Sequence, residues 1–580
     1  MHILKRTKRN VHPYVPELKE LYRDGRITRR EFLRMATLLG VSVAGAELML
    51  SDGKPVAAAP VVARQAIKRG GTMTIATRVQ RVDHPARFSW IEASNQFRMV
   101  CEYLTRTNWD NITEPWLLES WETNDDVTEW TLHVRQGIKF NDGSDFTAED
   151  VVFNFQQWLD PDIGSSMLGL MSYLQPQNVE KVDDYTVKLH LDTPQIGVPE
   201  HLYHYPAQIV PKTFEGDLVR QPVGTGPFLL ESYTETERAV FVRREDYWRM
   251  GADGSPLPYL DKLIFVDLGE DTAAQIAALQ SGQVDNIFNP PADVWQAVKD
   301  LPGIGVYSSP TAQTFHIRMR VDQPPFDDVR VRQALKKCVD RQKMLDLAWF
   351  GEGVLGHDSA FAPIHPEYCE KPIPAYDPEG ARALLAEAGY PGGRGFPEVE
   401  YRAFMTPNVH AAAARWTRNL QEVLDVSVRW TIVDWNEYYQ GFDRQPPHVG
   451  FITWSANTPD PDDFLRVAYR HIKRYFGWRH DLYEQLVEGA KQVIDPEARF
   501  RLYRQADAIL VREAAIAALG LVPFLFATGP GSGIEKPLAI VVICGLVTGT
   551  WLTLIVLALA YHGFGISTTA MPSLEGDFAA

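Results

Sequence analysis

Few groupings in this chain could carry chemistry. Glu200, His201 and His204 sit close enough to ligate a metal, and a spacing of three puts His201 and His204 on one face of a helix. Pro206 just beyond them argues for a loop, and two nearby histidines are a weak signal on their own. The four cysteines, Cys101, Cys338, Cys369 and Cys544, show no CxxC or Cys/His spacing for zinc. Gly224-Thr225-Gly226 and Gly529-Pro530-Gly531-Ser532-Gly533 lack the strand–helix context of a dinucleotide fingerprint or a P-loop, and read as turns. There is no GxSxG elbow and no HExxH. With 74 acidic residues, carboxylate pairs are inevitable, and no motif singles out one pair for glycosidase-like work. No catalysis, metal or cofactor is expected. Binding is the chemistry left: Trp454, Trp435, Tyr438 and Tyr439 could stack on a ligand, although rings of this kind more often fill cores or lobe surfaces.

The totals agree. A chain of 580 residues is too long for one ordinary core, so two or more lobes are expected. It is 45% hydrophobic and 23% charged, which is globular composition. A net charge of −16 without a long Lys/Arg block excludes a typical nucleic-acid binder, whose affinity comes from neutralising phosphates. Cys101 and Cys338 fall in apolar helical patterns and are expected to be buried thiols. A Cys338–Cys369 disulfide stays open in an oxidising compartment.

The N-terminus reads as an address. It is basic as far as Arg34, and the apolar run from Met35 to Ala46 is too short to span a bilayer. It fits the h-region of a signal peptide, with Ala57-Ala58-Ala59 as a cleavage site. Thr28-Arg29-Arg30-Glu31-Phe32-Leu33 resembles a twin-arginine export signal, in which Arg29, Arg30, Phe32 and Leu33 would be read by the export machinery. Residues 1–59 are therefore set apart as a signal region.

In the remaining chain, Gly70 to Thr77 reads as a turn and a first strand, and Phe97 to Leu104 as apolar at helical spacing. The densest pattern follows. Trp130 to Arg135 alternates like a strand, Asn141-Asp142-Gly143 is a tight turn, and Thr147 caps a helix with Glu149 and Asp150 in its first turn. This segment resembles the signature of family 5 solute-binding proteins, the peptide, dipeptide, oligopeptide and nickel receptors of ABC importers. Four further blocks agree in order. They are Pro222 to Phe228, Arg244 to Trp248, Phe326 to Leu335 with Asp340-Arg341, and Tyr376-Asp377-Pro378 with Gly389-Tyr390-Pro391. The resemblance spans about residues 70 to 513.

The resemblance implies an α/β clamp of three lobes in the type II periplasmic-binding arrangement. Lobe I would comprise 70–108, 211–310 and 483–513, lobe II 109–210, and lobe III 311–482. Its partners would be a small ligand and the permease subunits of an importer. Trp454 to Leu465 matches the family's ligand loop, so Trp454, Asn457 and Asp460, with Trp435 and Tyr438, become the candidate ligand-binding residues. In the dipeptide receptors an aspartate stands at the position of Asn457 and holds the ligand's ammonium. An amide cannot neutralise that charge, and the loop Met405 to Asn408 offers no arginine for a carboxylate. Both departures favour a less charged ligand than a free dipeptide, a sugar or a modified peptide.

The resemblance ends near Glu513. Residues 514–564 read as a hydrophobic, helical, membrane-like tail, with 565–580 as its end. Within it, the uncharged run 537–561 is long enough to span a bilayer and could contact a membrane. Gly520 to Gly529 and Glu535 to Thr548 resemble the last membrane segments of heavy-metal efflux pumps of the resistance-nodulation-division class. A rearranged gene and a genuine tether both fit. Lobe I would then lack its usual last strand, leaving a sheet edge open.

Overall fold

The computed structural model describes residues 11–50 and 67–528. The exceptions are 89–90, 109, 270, 310–312, 360, 363–364, 366–367, 369–370, 405–406, 434–446, 456–459, 515 and 522–523. Three sheets organise the body, each with its own apolar core.

The first sheet has seven strands. Their spatial order is Gly305–Ser309, Phe524–Thr528, Asn286–Phe288, Thr72–Ala76, Lys262–Val266, Arg238–Arg243 and Phe228–Thr234. Its centre is parallel, with Thr72–Ala76 flanked by Lys262–Val266 and Asn286–Phe288, and its outer pairs are antiparallel. The second sheet is four-stranded and antiparallel, in the spatial order Leu118–Thr123, Glu129–Val134, Thr186–His190 and Val179–Asp183. In Glu129–Val134 the residues Trp130, Leu132 and Val134 are buried and their neighbours are not, the period of two expected for a half-buried strand. The third sheet has six strands, running Val354–Leu355, Ile516–Leu521, Gln313–Met319, Val449–Ser455, Val399–Phe404 and Val428–Val433.

The signature blocks prove to be joints. Thr147 caps the helix Ala148–Leu159, and the Asp150 carboxylate accepts its backbone N–H at 2.9 Å and its hydroxyl at 3.0 Å. Asp377 caps Pro378–Glu387 by accepting the Gly380 N–H at 2.8 Å, with Pro378 in the first turn, where its missing N–H costs nothing. Arg244 is buried and donates to the carbonyls of Lys139, Phe140, Gly224 and Gly226, tying three blocks together. Tyr247 and Trp248 donate to the buried Glu102 carboxylate at 2.6 and 2.9 Å, and Trp116 joins them at 2.7 Å.

Gly224 is fixed by close approach. A Cβ there would lie 2.0 Å from the Val100 carbonyl oxygen, inside any allowed contact, and backbone cannot swing aside as a side chain does. Gly224→Ala should therefore destabilise the protein by about 3 kcal/mol, the upper range for overpacking. A drop in melting temperature of only a degree or so in a thermal scan would contradict this reading.

Four expectations need correction. The helix near Phe97 is Ile91–Phe97, and Met99 to Leu104 is buried irregular chain. Periodicity alone cannot separate a buried apolar run from a helix; here the carbonyls of Met99 and Val100 bond the N–H groups of Phe228 and Gly226 and not the next turn. The helices Asp481–Lys491 and Pro496–Arg512, expected with lobe I, pack Tyr483, Leu486, Val487, Tyr503 and Leu510 into the core around the third sheet. The tail does not begin as a helix at 514. Ile516–Leu521 joins the third sheet and Phe524–Thr528 inserts between two strands of the first, so open ladder edges there claim the apolar run. Lobe I thus has a returning strand, while 537–561 lies outside the described residues. No helix among the described residues is long and apolar enough to cross a membrane.

The fourth concerns the N-terminus, which was set apart from the fold. Residues 12–50 are packed against the body as three helices, α1 (Val15–Arg23), α2 (Arg29–Leu38) and α3 (Val43–Leu50). Thr28 caps α2 in a capping box with Glu31. Phe32, Leu33, Met35 and Leu38 are buried in a cluster that includes Ile112 and Ile196 of the body. Trp121 donates to the Leu38 carbonyl at 3.1 Å, and Arg30 donates to the Asp110 carbonyl at 2.8 Å. Cys101 and Cys338 are buried free thiols, and Cys369 lies outside the described residues.

Candidate functional site

The candidate site lies where the domains of the second and third sheets meet. The strand Val449–Ser455 carries Trp454, in register with Thr314, and leads toward the predicted ligand loop. Asn457, Trp435 and Tyr438 lie outside the described residues. Asp460 is described, and it is the centre of a buried ionic cluster.

Asp460 is reached from three directions. Arg499 and Tyr503 stand four apart on Pro496–Arg512 and so share a face. Arg499 Nη2 forms an ion pair with Asp460 Oδ2, and Tyr503 donates its hydroxyl to Asp460 Oδ1 at 3.3 Å. The Asp462 N–H closes an Asx turn onto Asp460 Oδ1 at 2.9 Å. Beside it, the short helix Val198–His201 carries Glu200, whose Oε1 and Oε2 accept from Arg34 Nε at 3.0 Å and Nη2 at 3.3 Å. Arg34 Nη2 also stands 4.0 Å from Asp460 Oδ2. All four side chains are essentially inaccessible: Arg34 1%, and Glu200, Asp460 and Arg499 0%. Gly197 allows this approach, since a Cβ there would meet Asp460 Oδ2 at 3.2 Å.

Two carboxylates and two guanidiniums make the cluster neutral, which is what burial at this depth requires. Burial opposes the charge on Asp460, but Arg499 and then Arg34 outweigh it and hold the carboxyl well below the usual range. At Glu200 burial pushes the carboxyl up, against the pull of Arg34.

The histidines of the metal hypothesis are both buried. His201 Nδ1 shares a hydrogen bond of 2.8 Å with the Tyr173 hydroxyl, and burial lowers its pKa to about 4. His204 is lowered by burial to about 3. With Glu200 engaged by Arg34, the trio does not converge on a common point, and no group of three metal-ligating residues occurs among the described residues.

Next to the cluster the lobes are stapled. Arg466 follows Asp462 by one turn and binds it through Nε at 3.0 and 2.8 Å. Its other nitrogens cross to the second lobe, donating to the Gly169 carbonyl at 3.0 Å, the Ser172 hydroxyl at 3.0 Å and the Leu170 carbonyl at 2.7 Å. Planar guanidinium geometry suits this fork, with carboxylate on one side and backbone on the other.

Sequence reasoning singled out Asp460 but missed Arg499, Tyr503, Arg466 and Arg34. The i, i+4 pairs Arg499/Tyr503 and Asp462/Arg466 were visible signals. Arg34, a cation set between the apolar pairs Phe32-Leu33 and Met35-Ala36, was another.

A polar joint buried between two α/β lobes suits a protein that closes on a ligand. Residues 113–474, more than half the chain, match the family "Bacterial extracellular solute-binding proteins, family 5 Middle", and the chain belongs to this family. Residues 507–565 match the AcrB/AcrD/AcrF family. Among curated relatives, the chain is 28% identical over 446 residues to heme-binding protein A of Haemophilus influenzae, covering 69% of this chain and 77% of the relative. It is 28% identical over 443 residues to di/tripeptide-binding protein 1 of Pseudomonas aeruginosa, covering 70% and 80%. Among solved structures it resembles the periplasmic binding protein DppA of Helicobacter pylori in complex with the peptide STSA. There the TM-score is 0.71 at 22% identity, over 80% of this chain and 95% of that one.

Proposed function

We propose that the protein is the extracytoplasmic substrate-binding component of an ABC importer. It captures peptides or a related small solute by hinge closure and delivers it to a membrane permease. The observation that carries this reading is the staple of Arg466 between the second and third lobes, directly beside the ligand loop. It is a bond that can form only when those lobes approach. The names of the relatives, di/tripeptide-binding and heme-binding, support a small extracellular cargo. Arg29, Arg30, Phe32 and Leu33 fit export of the folded chain by the twin-arginine route, and the run 537–561 fits a membrane tether. Asn457, where dipeptide receptors carry an aspartate, favours a second reading, a receptor for a neutral solute such as an oligosaccharide.

A thermal-shift panel of di-, tri- and oligopeptides, oligosaccharides and metal ions tests these readings. A ligand at 100 times its Kd adds about 2.7 kcal/mol to stability. A rise with peptides is expected. A rise with sugars alone would replace the peptide reading by the neutral-solute one, and no rise with any class would remove both.

A further inference from the structure

The ligand position that dipeptide receptors fill with an aspartate is an uncharged amide here, yet three residues later the chain builds a different anionic pocket. Arg499 neutralises Asp460 at contact distance. Glu200 then carries a second buried negative charge, and the group that meets it comes from a separate segment, α2. The guanidinium of Arg34 lies along the carboxylate, with Nε and Nη2 on different oxygens at 3.0 and 3.3 Å. This fork-on-fork pairing discriminates a guanidinium from a point-like ammonium.

The pocket is composite. Glu200 and Gly197 belong to the second lobe and Asp460 to the ligand loop of the third. Arg499 and Tyr503 come from the long helix behind that loop. Opening the clamp would separate Glu200 from Asp460, so the pocket is complete only when the lobes meet. Arg34 of α2 is bonded to Glu200 on the lobe that α2 packs against, and it reaches Asp460 of the third lobe only at 4.0 Å. Three further contacts of the N-terminal segment reach other parts of the body. Arg30 and Leu38 bond the second lobe, while Arg26 pairs with Glu497 at the start of the long helix, with Nε at 3.2 Å from Oε1.

We propose that Glu200 and Asp460 form a binding site for the guanidinium group of a ligand, and that Arg34 of α2 occupies this site in the full chain as an internal substitute. The proposal rests on the binding-protein reading and adds a ligand class to it, solutes that present an arginine-type side chain. The cationic subsite has moved from position 457 to the Glu200–Asp460 pair, and α2 competes with the ligand for it.

The test uses the full chain carrying Arg34→Ala, with Arg34→Gln in its place if the alanine variant does not fold, and N-acetylargininamide as the probe, titrated by calorimetry. The variant is expected to bind the probe at least tenfold more tightly than the wild type, in which Arg34 competes. N-acetylcitrullinamide, the neutral isostere, is expected not to bind, and adding Glu200→Gln to the variant should abolish the response. Equal binding by wild type and variant, or a response that survives Glu200→Gln, would overturn the site. Lysinamide binding as tightly as argininamide would overturn the guanidinium assignment. The outcome is separable from the import reading. If the ligand panel fails while the probe binds the Arg34 variant, the site stands without that reading. If peptides bind and the probe does not, the reading stands without the site.

Discussion

Asp460→Asn should lower stability by about 3–5 kcal/mol, because removing one partner leaves the other charge buried and uncompensated. Arg499 is wholly inaccessible, and its Nη2 lies against Asp460 Oδ2. Asparagine keeps the shape and can still accept from the Asp462 N–H, so the change isolates the charge. The loss is a large share of a total of roughly 5–15 kcal/mol, and should lower the melting temperature by several degrees. Combining it with Arg499→Gln removes both charges, and the double variant should be more stable than the sum of the single effects predicts. A single variant within 1 kcal/mol of wild type in chemical denaturation would show that water reaches Arg499 and that the joint is not a sealed ionic cluster.

The second large effect concerns closure. Arg466, in the helical turn Asp463–Ala468 after Asp460, bonds the second lobe through the Gly169 and Leu170 carbonyls and the Ser172 hydroxyl. Truncating it alone would strand Asp462, which is fully buried, and mix a folding defect with a closing defect. The pair Asp462→Asn with Arg466→Met removes the charge from both and keeps the volume. Stability should then change little, since neutral replacement of a buried ion pair is often nearly neutral. Three bonds from a charged donor are lost from the closed state, each worth about 1.5–3 kcal/mol at most. Ligand affinity should therefore fall at least 100-fold, an energy of about 2.8 kcal/mol. Unchanged affinity in a stable double variant would mean that the staple is not part of ligand-linked closure.

The parts of this fold legible in the sequence were those set by local chemistry. Thr147 and Asp377 cap helices wherever they occur before such runs, and the alternation of Trp130, Leu132 and Val134 needs no tertiary knowledge. The parts that were not legible depend on where a segment finds a partner. Phe524–Thr528 is as apolar as a membrane helix, and becomes a strand because two ladder edges stand open to it. Met99 to Leu104 loses its helix to the glycines at 224 and 226, which let another backbone come within bonding distance. The site follows the same division. Asp460 could be read from its motif, but Glu200 was weighed as a metal ligand, because nothing in its own neighbourhood reveals that Arg34, far away in sequence, will neutralise it.

This clamp is expected to bind a small extracellular solute between its lobes. The most direct measurement is a calorimetric titration of the full chain with the best peptide from the panel. One site per chain is expected, with a negative heat-capacity change from the apolar surface buried on closure, and a strong loss of affinity in the Asp462→Asn, Arg466→Met variant. Saturable binding that is indifferent to that variant, or no heat with any peptide or neutral solute, would contradict it.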